Sequence, residues 1–462
     1  MTFILMPIVF VLGVIGIAFE DKLHINKSAI ALLMCVILWG LLIVTYHGNY
    51  SNELFRIFLE HNPALADASR IDKAQAYVAE SLNIHLGDVA GTLFFVLCSM
   101  LIVNTVDRYG GFKEIAAKLA TANKRRLIWH IGFLAFFFSA LLDNLAAAIV
   151  IIAIIRKLVP DKTDRMKYAC ISVIACNAGG SWSPIGDVTT LLLWQSGYIT
   201  PFVQISRLFI PALVNLLVPL TISHFWLFRK GDQLRQVTPP LFANKHKVEL
   251  PGTTRVTVFI IGFLSLVMVP VYEVLFGIPA YMGAIIGLII LWIYTDRMQL
   301  RLEDAEDLKV VHLLKDADLS SLFYFLGVLM SVAALITGGQ LAVAGGYLER
   351  VTDLSGNQFA DTSFLAAILG VLSSAVDNVA LVAATMGMFP AGYNAAMVVD
   401  GSFWLFLAYA AVTGGSLLII GSATGVTVMG LEGVTFGYYL KRFSGLALVG
   451  YIAGAMVALM LV

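Results

Sequence analysis

An all-α polytopic membrane protein, folded as an inverted repeat with discontinuous helices, is the architecture this sequence predicts. Three observations carry the prediction. Of 462 residues, 59% are hydrophobic and 13% charged, against about 45–50% and about 25% in a soluble domain. That leaves too little polar surface to clothe a water-soluble body. The apolar runs are continuous and near the roughly 20 residues that carry a helix across a bilayer, unlike the short alternating segments of a barrel. Motifs of the first half also return in the second at a near-constant offset. The formal net charge is zero, which excludes an electrostatic footprint for nucleic acid. Cys35, Cys98, Cys170 and Cys176 all lie in apolar stretches, so neither a disulfide framework nor a zinc site is expected.

In chain order, the apolar runs fall near 3–19, 28–45, 88–106, 127–155, 168–195, 204–228, 256–276, 278–295, 319–337, 360–389, 395–430 and 441–462. The first lacks a basic start and a small-residue cleavage site, so it reads as a retained helix and not a signal peptide. Runs 127–155 and 360–389 are interrupted by Asp-Asn and read as re-entrant hairpins. Runs 168–195 and 395–430 are interrupted by Gly-Gly-Ser and read as broken helices. Segment 47–87, with scattered charge, reads as an external cap. Segment 107–126 sets Lys113, Lys118 and Lys124 around an Ile115/Leu119 face and reads as an interfacial helix.

With each hairpin entering and leaving on one side, the cytoplasmic segments are 20–27, 107–126, 156–167, 229–255, 296–318 and 441–442. They hold 25 of the 30 Lys and Arg, the asymmetry of the positive-inside rule. Both termini are then external. The first hairpin opens from the cytoplasm and the second from outside.

The duplication is the most informative feature. Ser139-Ala-Leu-Leu-Asp143-Asn144 returns as Ser373/Ser374-Ala-Val-Asp377-Asn378 at an offset of 234. Gly179-Gly180-Ser181 with Gly186 returns as Gly414-Gly415-Ser416 with Gly421 at an offset of 235, where Asp187 aligns with Ser422 and Thr189 with Thr424. Each half has five spans plus a hairpin. Because five is odd, the halves 1–228 and 256–462, joined by the linker 229–255, are inverted, the plan of secondary transporters. Non-helical backbone cannot face lipid, so the four interruptions must line protein or a wet cavity, exposing free N–H and C=O groups there.

Asp143, Asp187 and Asp377 are carboxylates deep in apolar sequence, where an acid is expensive and usually functional; the alternative is a structural Asp satisfied by N–H groups at a helix start. Asn144 and Asn378 are either ligands or caps, and Asn177 stands just before the break. Ser139, Ser181, Ser373, Ser416, Ser422, Thr189, Thr190 and Thr424 supply hydroxyls that bond either a ligand or their own helix carbonyls. Carboxylate, carbonyl, hydroxyl and amide oxygens together suit a hard cation. An anion site would draw on Arg or Lys, and none lies in the interrupted regions. The eight histidines are dispersed and read as solvated or interfacial. A cation/proton exchanger is therefore the leading reading. A permease for an oxyanion or organic acid is the alternative, and an intramembrane aspartyl protease a third, which would need neither the repeat nor the hairpins. No cofactor is expected. The sodium site is placed at Asp143 and Asp187, which take up either the cation or protons. Asp377 is a satellite, because three ionised carboxylates around one Na+ would leave a net charge of −2 in a low-dielectric site.

The motifs SALLDN, CNAGGSWSPIGDVTT, SSAVDN and TGGSLLIIGSATG resemble those of NhaD-type sodium/proton antiporters, of the ion-transporter superfamily that includes arsenite permeases and dicarboxylate transporters. The resemblance runs over roughly 88–462. It implies exchange of Na+ or Li+ for H+ across a bacterial inner membrane by a homodimer, with a scaffold and an elevator-like transport domain. It also implies functional roles for Asp143, Asn144, Asn177, Asp187, Thr189, Asp377 and Asn378, with Ser181 and Ser416 in support. Since Ser422 stands where Asp187 does in the first half, one asymmetric site is expected in place of two equivalent ones.

Overall fold

The computed structural model describes residues 2–18, 20–46, 52–65, 67–112, 121–229, 231–234, 250–299 and 314–462. Among these, secondary structure is helical apart from an isolated bridge between Asn123 and Gln233. Eight of the described helices are long and apolar enough to cross a membrane, and the chain is a multi-pass membrane protein.

The helices follow the apolar runs. They are α1 (Thr2–Ala18), the single turn α2 (Glu20–Leu23), α3 (Lys27–Thr45), α4 (Glu53–His61), α5 (Arg70–Arg108), α6 (Lys124–Leu142), α7 (Asn144–Leu158), α8 (Lys162–Ser181), α9 (Val188–Gln195) and α10 (Pro201–Trp226). The second half continues with α11 (Gly252–Phe276), α12 (Ala280–Gln299), α13 (Leu319–Thr337), α14 (Gln340–Thr352), α15 (Gln358–Leu372), α16 (Asn378–Met388), α17 (Ser402–Gly414), α18 (Ala423–Glu432), α19 (Phe436–Arg442) and α20 (Ser444–Leu461). Local signals set the ends. Asn26 caps α3 through Ser28 N–H, Asp161 caps α8 through Asp164 N–H, and Pro201 opens α10 at its first position.

Two elements differ from the expectation and one adds to it. The cap segment 47–87 contains α4, and from Arg70 it runs without a break into the span 88–106, giving a 39-residue helix. Ala74, Ala76 and Ala79 favour helix there, and Gly87 stands in open space where it forces no turn. Helix α14 lies between the apolar runs 319–337 and 360–389, launched by the left-handed Gly339 at φ +80°. Residues 395–401, expected to be helical, are not, and Asp400 takes a left-handed φ of 59°. Of the interfacial segment, 113–120 lie outside the described residues, and Lys124 instead opens α6 with Asn123 as its cap. Of the linker, 230 and 235–249 lie outside them, as do 47–51 and 66 of the cap segment.

The contacts divide the chain into two compact units, and each draws on both sequence halves. The first comprises Met1–Leu93, Asp318–Leu365 and Val379–Val398. Here α13 packs on α3 so closely that a Cβ on Gly327 would lie 2.5 Å from the Ala31 carbonyl carbon. Trp39 Nε1 donates to Met330 O (2.8 Å), and Asn52 Nδ2 and Tyr77 OH donate to Thr337 O (2.8 and 3.0 Å). The second unit comprises Phe94–Ala317, Ala366–Asn378 and Val399–Val462. Within it α8 is the hub, packed by α6, α7, α17 and α18. Its side chains from Tyr168 to Ser181 are all buried. This unit holds the first Asp-Asn tip, both Gly-Gly-Ser interruptions and the second Asp-Asn tip.

Candidate cation-binding site

Two similar joints bring the interruptions together. Between α6 and α7 the chain turns on Asp143, whose φ of 61° is left-handed and whose carboxylate accepts from Leu145 N–H at 2.8 Å. Between α8 and α9 the helix stays intact through Gly179 and Gly180 and opens only after Ser181. These glycines therefore do not unwind the helix, as the sequence suggested; they admit neighbouring backbone. A Cβ on Gly179 would collide with the Phe136 carbonyl, and one on Gly180 would meet Gly186 O at 2.8 Å. Ser139 Oγ then donates to Cys176 O (2.6 Å), tying the tip to the broken helix.

The second half repeats this construction. A Cβ on Gly414 would collide with Gly370 O, and one on Gly421 would lie 2.5 Å from Ser374 O. Ser373 Oγ donates to Ala411 O at 2.6 Å. Ser181 Oγ and Ser416 Oγ donate to Ala178 O (2.8 Å) and Thr413 O (2.6 Å), and Thr190 Oγ1 to Ser183 O (2.9 Å). These five hydroxyls hold backbone with their protons and keep only lone pairs for a ligand.

The two halves meet at Asp187. It caps α9, accepting from Thr189 N–H at 2.7 Å. Asn144 Nδ2 from the first half donates to its Oδ2. Asn378 Nδ2 from the second half donates to both carboxylate oxygens at 3.2 Å. Asn144 Nδ2 also reaches Asn177 Oδ1 (3.3 Å), and Asn177 Nδ2 donates to Ser422 Oγ (3.2 Å). Ser422 accepts from Gly425 N–H at 3.2 Å as the cap of α18. Asn144, Asn177, Asp187, Asn378 and Ser422 are all buried, with Asn177 fully so. Every partner named for Asp187 is neutral.

The other two carboxylates flank this network. Asp143 and Asp377 are half-buried, and the charge of each interacts with that of Asp187. The hydroxyls of Thr189 and Thr424, repeat equivalents and both fully buried, have no hydrogen bond of good geometry; Thr189 Oγ1 stands beside the Asp187 carboxylate. Carboxylate, amide and hydroxyl groups thus converge at Asn144, Asn378 and the caps Asp187 and Ser422. Sequence reasoning missed Gln204, fully buried in α10, which donates to Ser181 O at 3.3 Å where α8 ends. Its one signal was a glutamine inside an apolar run.

Comparison with known proteins places the chain in a family. The family model described as citrate transporter matches residues 8–399. Sodium/proton antiporter 2 of Arabidopsis thaliana is 36% identical over 98% of this chain and 98% of its own length. Na(+)/H(+) antiporter NhaD of Alkalimonas amylolytica is 30% identical over 98% of this chain and 89% of its own. The chain belongs to the NhaD-type sodium/proton antiporter family. Na(+)/H(+) antiporter NhaD of Vibrio cholerae, 29% identical, also matches over 98% of this chain. An NhaD-type chain is a transporter, and the four interruptions are where its two halves converge.

Proposed function

We propose that the protein exchanges Na+ or Li+ for H+, with Asp187 as the central carboxylate and Asp143 beside it. The observation that carries this is a buried carboxylate whose named hydrogen-bond partners are all neutral and whose charged neighbours are two further carboxylates. A carboxylate at this depth is costly unless a proton or cation offsets its charge. Asn144, Asn177 and Asn378 can turn their amide oxygens toward a cation, and the Thr189 and Thr424 hydroxyls can complete an oxygen shell. The titratable groups named in the site are Asp143, Asp187 and Asp377, so the proton must use the carboxylates the cation uses. Competition at shared oxygens then couples the two flows. Asp377, paired with Ser422 in its half, acts as satellite.

Finer features extend the same proposal. The exchange is electrogenic if both Asp143 and Asp187 release protons for one cation. An elevator-like movement is supported by the gathering of both breaks and both tips into one compact unit. A homodimer follows from the family resemblance, and a bacterial inner membrane is supported by the bacterial relatives. An organic-acid permease is the second reading, favoured by the description of the matching family model; it lacks a basic side chain in the site to receive a carboxylate. The test is proton flux in everted vesicles. Na+ and Li+ should alkalinise the lumen rapidly, whereas K+ and citrate should not. Citrate-driven flux without a Na+ response would overturn the proposal.

A further inference from the structure

The second unit holds a partly buried ionic cluster that the site chemistry does not use. Glu432, the last residue of α18, has a side chain only 1% exposed. Arg156 Nε on α7 donates to its Oε1 at 2.6 Å, and Arg165 Nε on α8 donates to its Oε2 at 3.0 Å. Arg156 also donates to Leu431 O, and Arg165 to Pro160 O at 3.1 Å. The carboxylate comes from the second half of the sequence and both guanidiniums from the first.

The three helices that meet here are those that meet at the cation site. Helix α7 begins with Asn144 and carries Arg156 twelve positions on. Helix α8 carries Arg165 and, twelve positions on, Asn177. Helix α18 is capped by Ser422 and ends on Glu432 ten positions on. They pack pairwise along their lengths. At about 1.5 Å per residue, the cluster stands roughly 15–18 Å from the site, with no hinge between, because each helix is unbroken. Sliding one helix along the others therefore moves its site residue by the same distance. Binding groups must be held to about 0.5 Å, and a misplacement of about 1 Å can cost on the order of 100-fold.

We propose that Glu432 is a positioning residue: its bonds to Arg156 and Arg165 fix the axial register at which Asn144, Asn177 and Ser422 meet Asp187. The repeat supplies a comparison. Arg165 aligns with Asp400 at the offset of 235. Asp400 accepts from Thr200 N–H (2.6 Å) and Thr200 Oγ1 (2.8 Å), and its N–H donates to Tyr198 O (3.0 Å). The fastening there is made of hydrogen bonds at the exposed surface, with no ion pair. Register is thus held firmly on the Glu432 side and loosely on the Asp400 side.

The inference rests on the sodium reading of the site, and the experiment separates the two. Full-length protein is purified as wild type, Glu432→Gln and Asp400→Asn. Each is assayed for Na+-dependent proton flux in proteoliposomes and for Na+-dependent thermal stabilisation in detergent. Glu432→Gln should raise the Na+ midpoint about tenfold or more in both assays, while flux at saturating Na+ stays within about threefold, the pattern of lost binding with intact turnover. Asp400→Asn should stay within about twofold of wild type. A monodisperse Glu432→Gln protein with a wild-type Na+ midpoint, or an equal loss in Asp400→Asn, would overturn the register role. If Glu432→Gln does not purify as a single species, the Arg156→Lys/Arg165→Lys double variant, which keeps charge but not guanidinium geometry, carries the same expectation. Absence of any Na+ effect in the wild type would instead overturn the sodium reading, and the register role with it.

Discussion

Replacing Asp187 by asparagine tests the site most directly, because the change is isosteric and removes one charge. At an oxygen–cation separation of about 2.5 Å and an effective dielectric of about 20, a unit charge pair is worth roughly 7 kcal/mol before desolvation. A millimolar Na+ affinity is only about 4 kcal/mol. Losing even part of the Coulomb attraction therefore leaves no useful binding. The structure adds a second penalty. Asn144, Asn378 and Thr189 N–H all donate to the carboxylate, so an amide there turns an NH2 toward at least one donor, at about 1–3 kcal/mol. That loss is small enough for the helices to remain folded. Asp187→Asn should therefore purify as a monodisperse protein, yet show no Na+- or Li+-dependent proton flux in everted vesicles and no Na+-dependent thermal shift. A folded Asp187→Asn protein with a Na+ midpoint within tenfold of wild type would show that the central carboxylate lies elsewhere.

The remaining predictions follow from the same geometry. The apparent affinity for Na+ should weaken as pH falls, by up to about tenfold per unit where a single proton competes; a pH-independent affinity across the active range, measured as half-saturation of flux, would contradict shared oxygens. Asp143→Asn should abolish exchange, whereas Asp377→Asn should retain part of it with altered pH dependence; a dead Asp377→Asn beside an active Asp187→Asn would move the site to the second half. Ser422→Ala removes the cap of α18 and the acceptor for Asn177, so the Na+ midpoint should rise about tenfold, from roughly 1–2 kcal/mol of lost cap and bond; an unchanged midpoint in the thermal-shift assay would detach Ser422 from the site. Gly414→Ala places a methyl against Gly370 O and should destabilise the protein by about 1–3 kcal/mol, read as a lower unfolding temperature.

The spans were legible in the sequence because bilayer solvation imposes length and polarity, and the run 319–337 became α13 (Leu319–Thr337) with the same limits. The candidate residues that the structure links by hydrogen bonds, Asn144, Asn177, Asp187, Asn378 and Ser422, stood out in the sequence because a polar group in such a run has few other reasons to be there. What the sequence did not contain was the direction of each hydrogen bond. Ser139 and Ser373, read as bonding either a ligand or their own helix carbonyls, lace tips to broken helices, since a hydroxyl near a free carbonyl satisfies the closer partner. Gly179 and Gly180 looked like breakers and instead admit Phe136 and Gly186 backbone, a close approach that depends on a segment 43 residues upstream. Glu432 was invisible as a cluster because its partners lie in the other half of the chain, and an acid at a helix end is unremarkable until a guanidinium is known to face it.

The repeated motifs set Asp187 in one half against Ser422 in the other. Asp187 and Ser422 hold the same backbone role: each is an extended residue, at φ −151° and −139°, and its side chain caps the second part of a broken helix. Each half also delivers one asparagine from its tip, and Asn144 and Asn378 converge on the same carboxylate. The repeat therefore supplies two caps and two amides around one carboxylate. A second acid at position 422 would cap α18 as well as serine does, so helix formation alone does not disfavour it. Electrostatics does. Asp143 and Asp377 already flank Asp187, so an acid at position 422 would add a fourth carboxylate in a region that water does not screen. Serine keeps the cap and its oxygen and omits the charge. On the proposed sodium reading, the asymmetry between positions 187 and 422 suits a monovalent cargo.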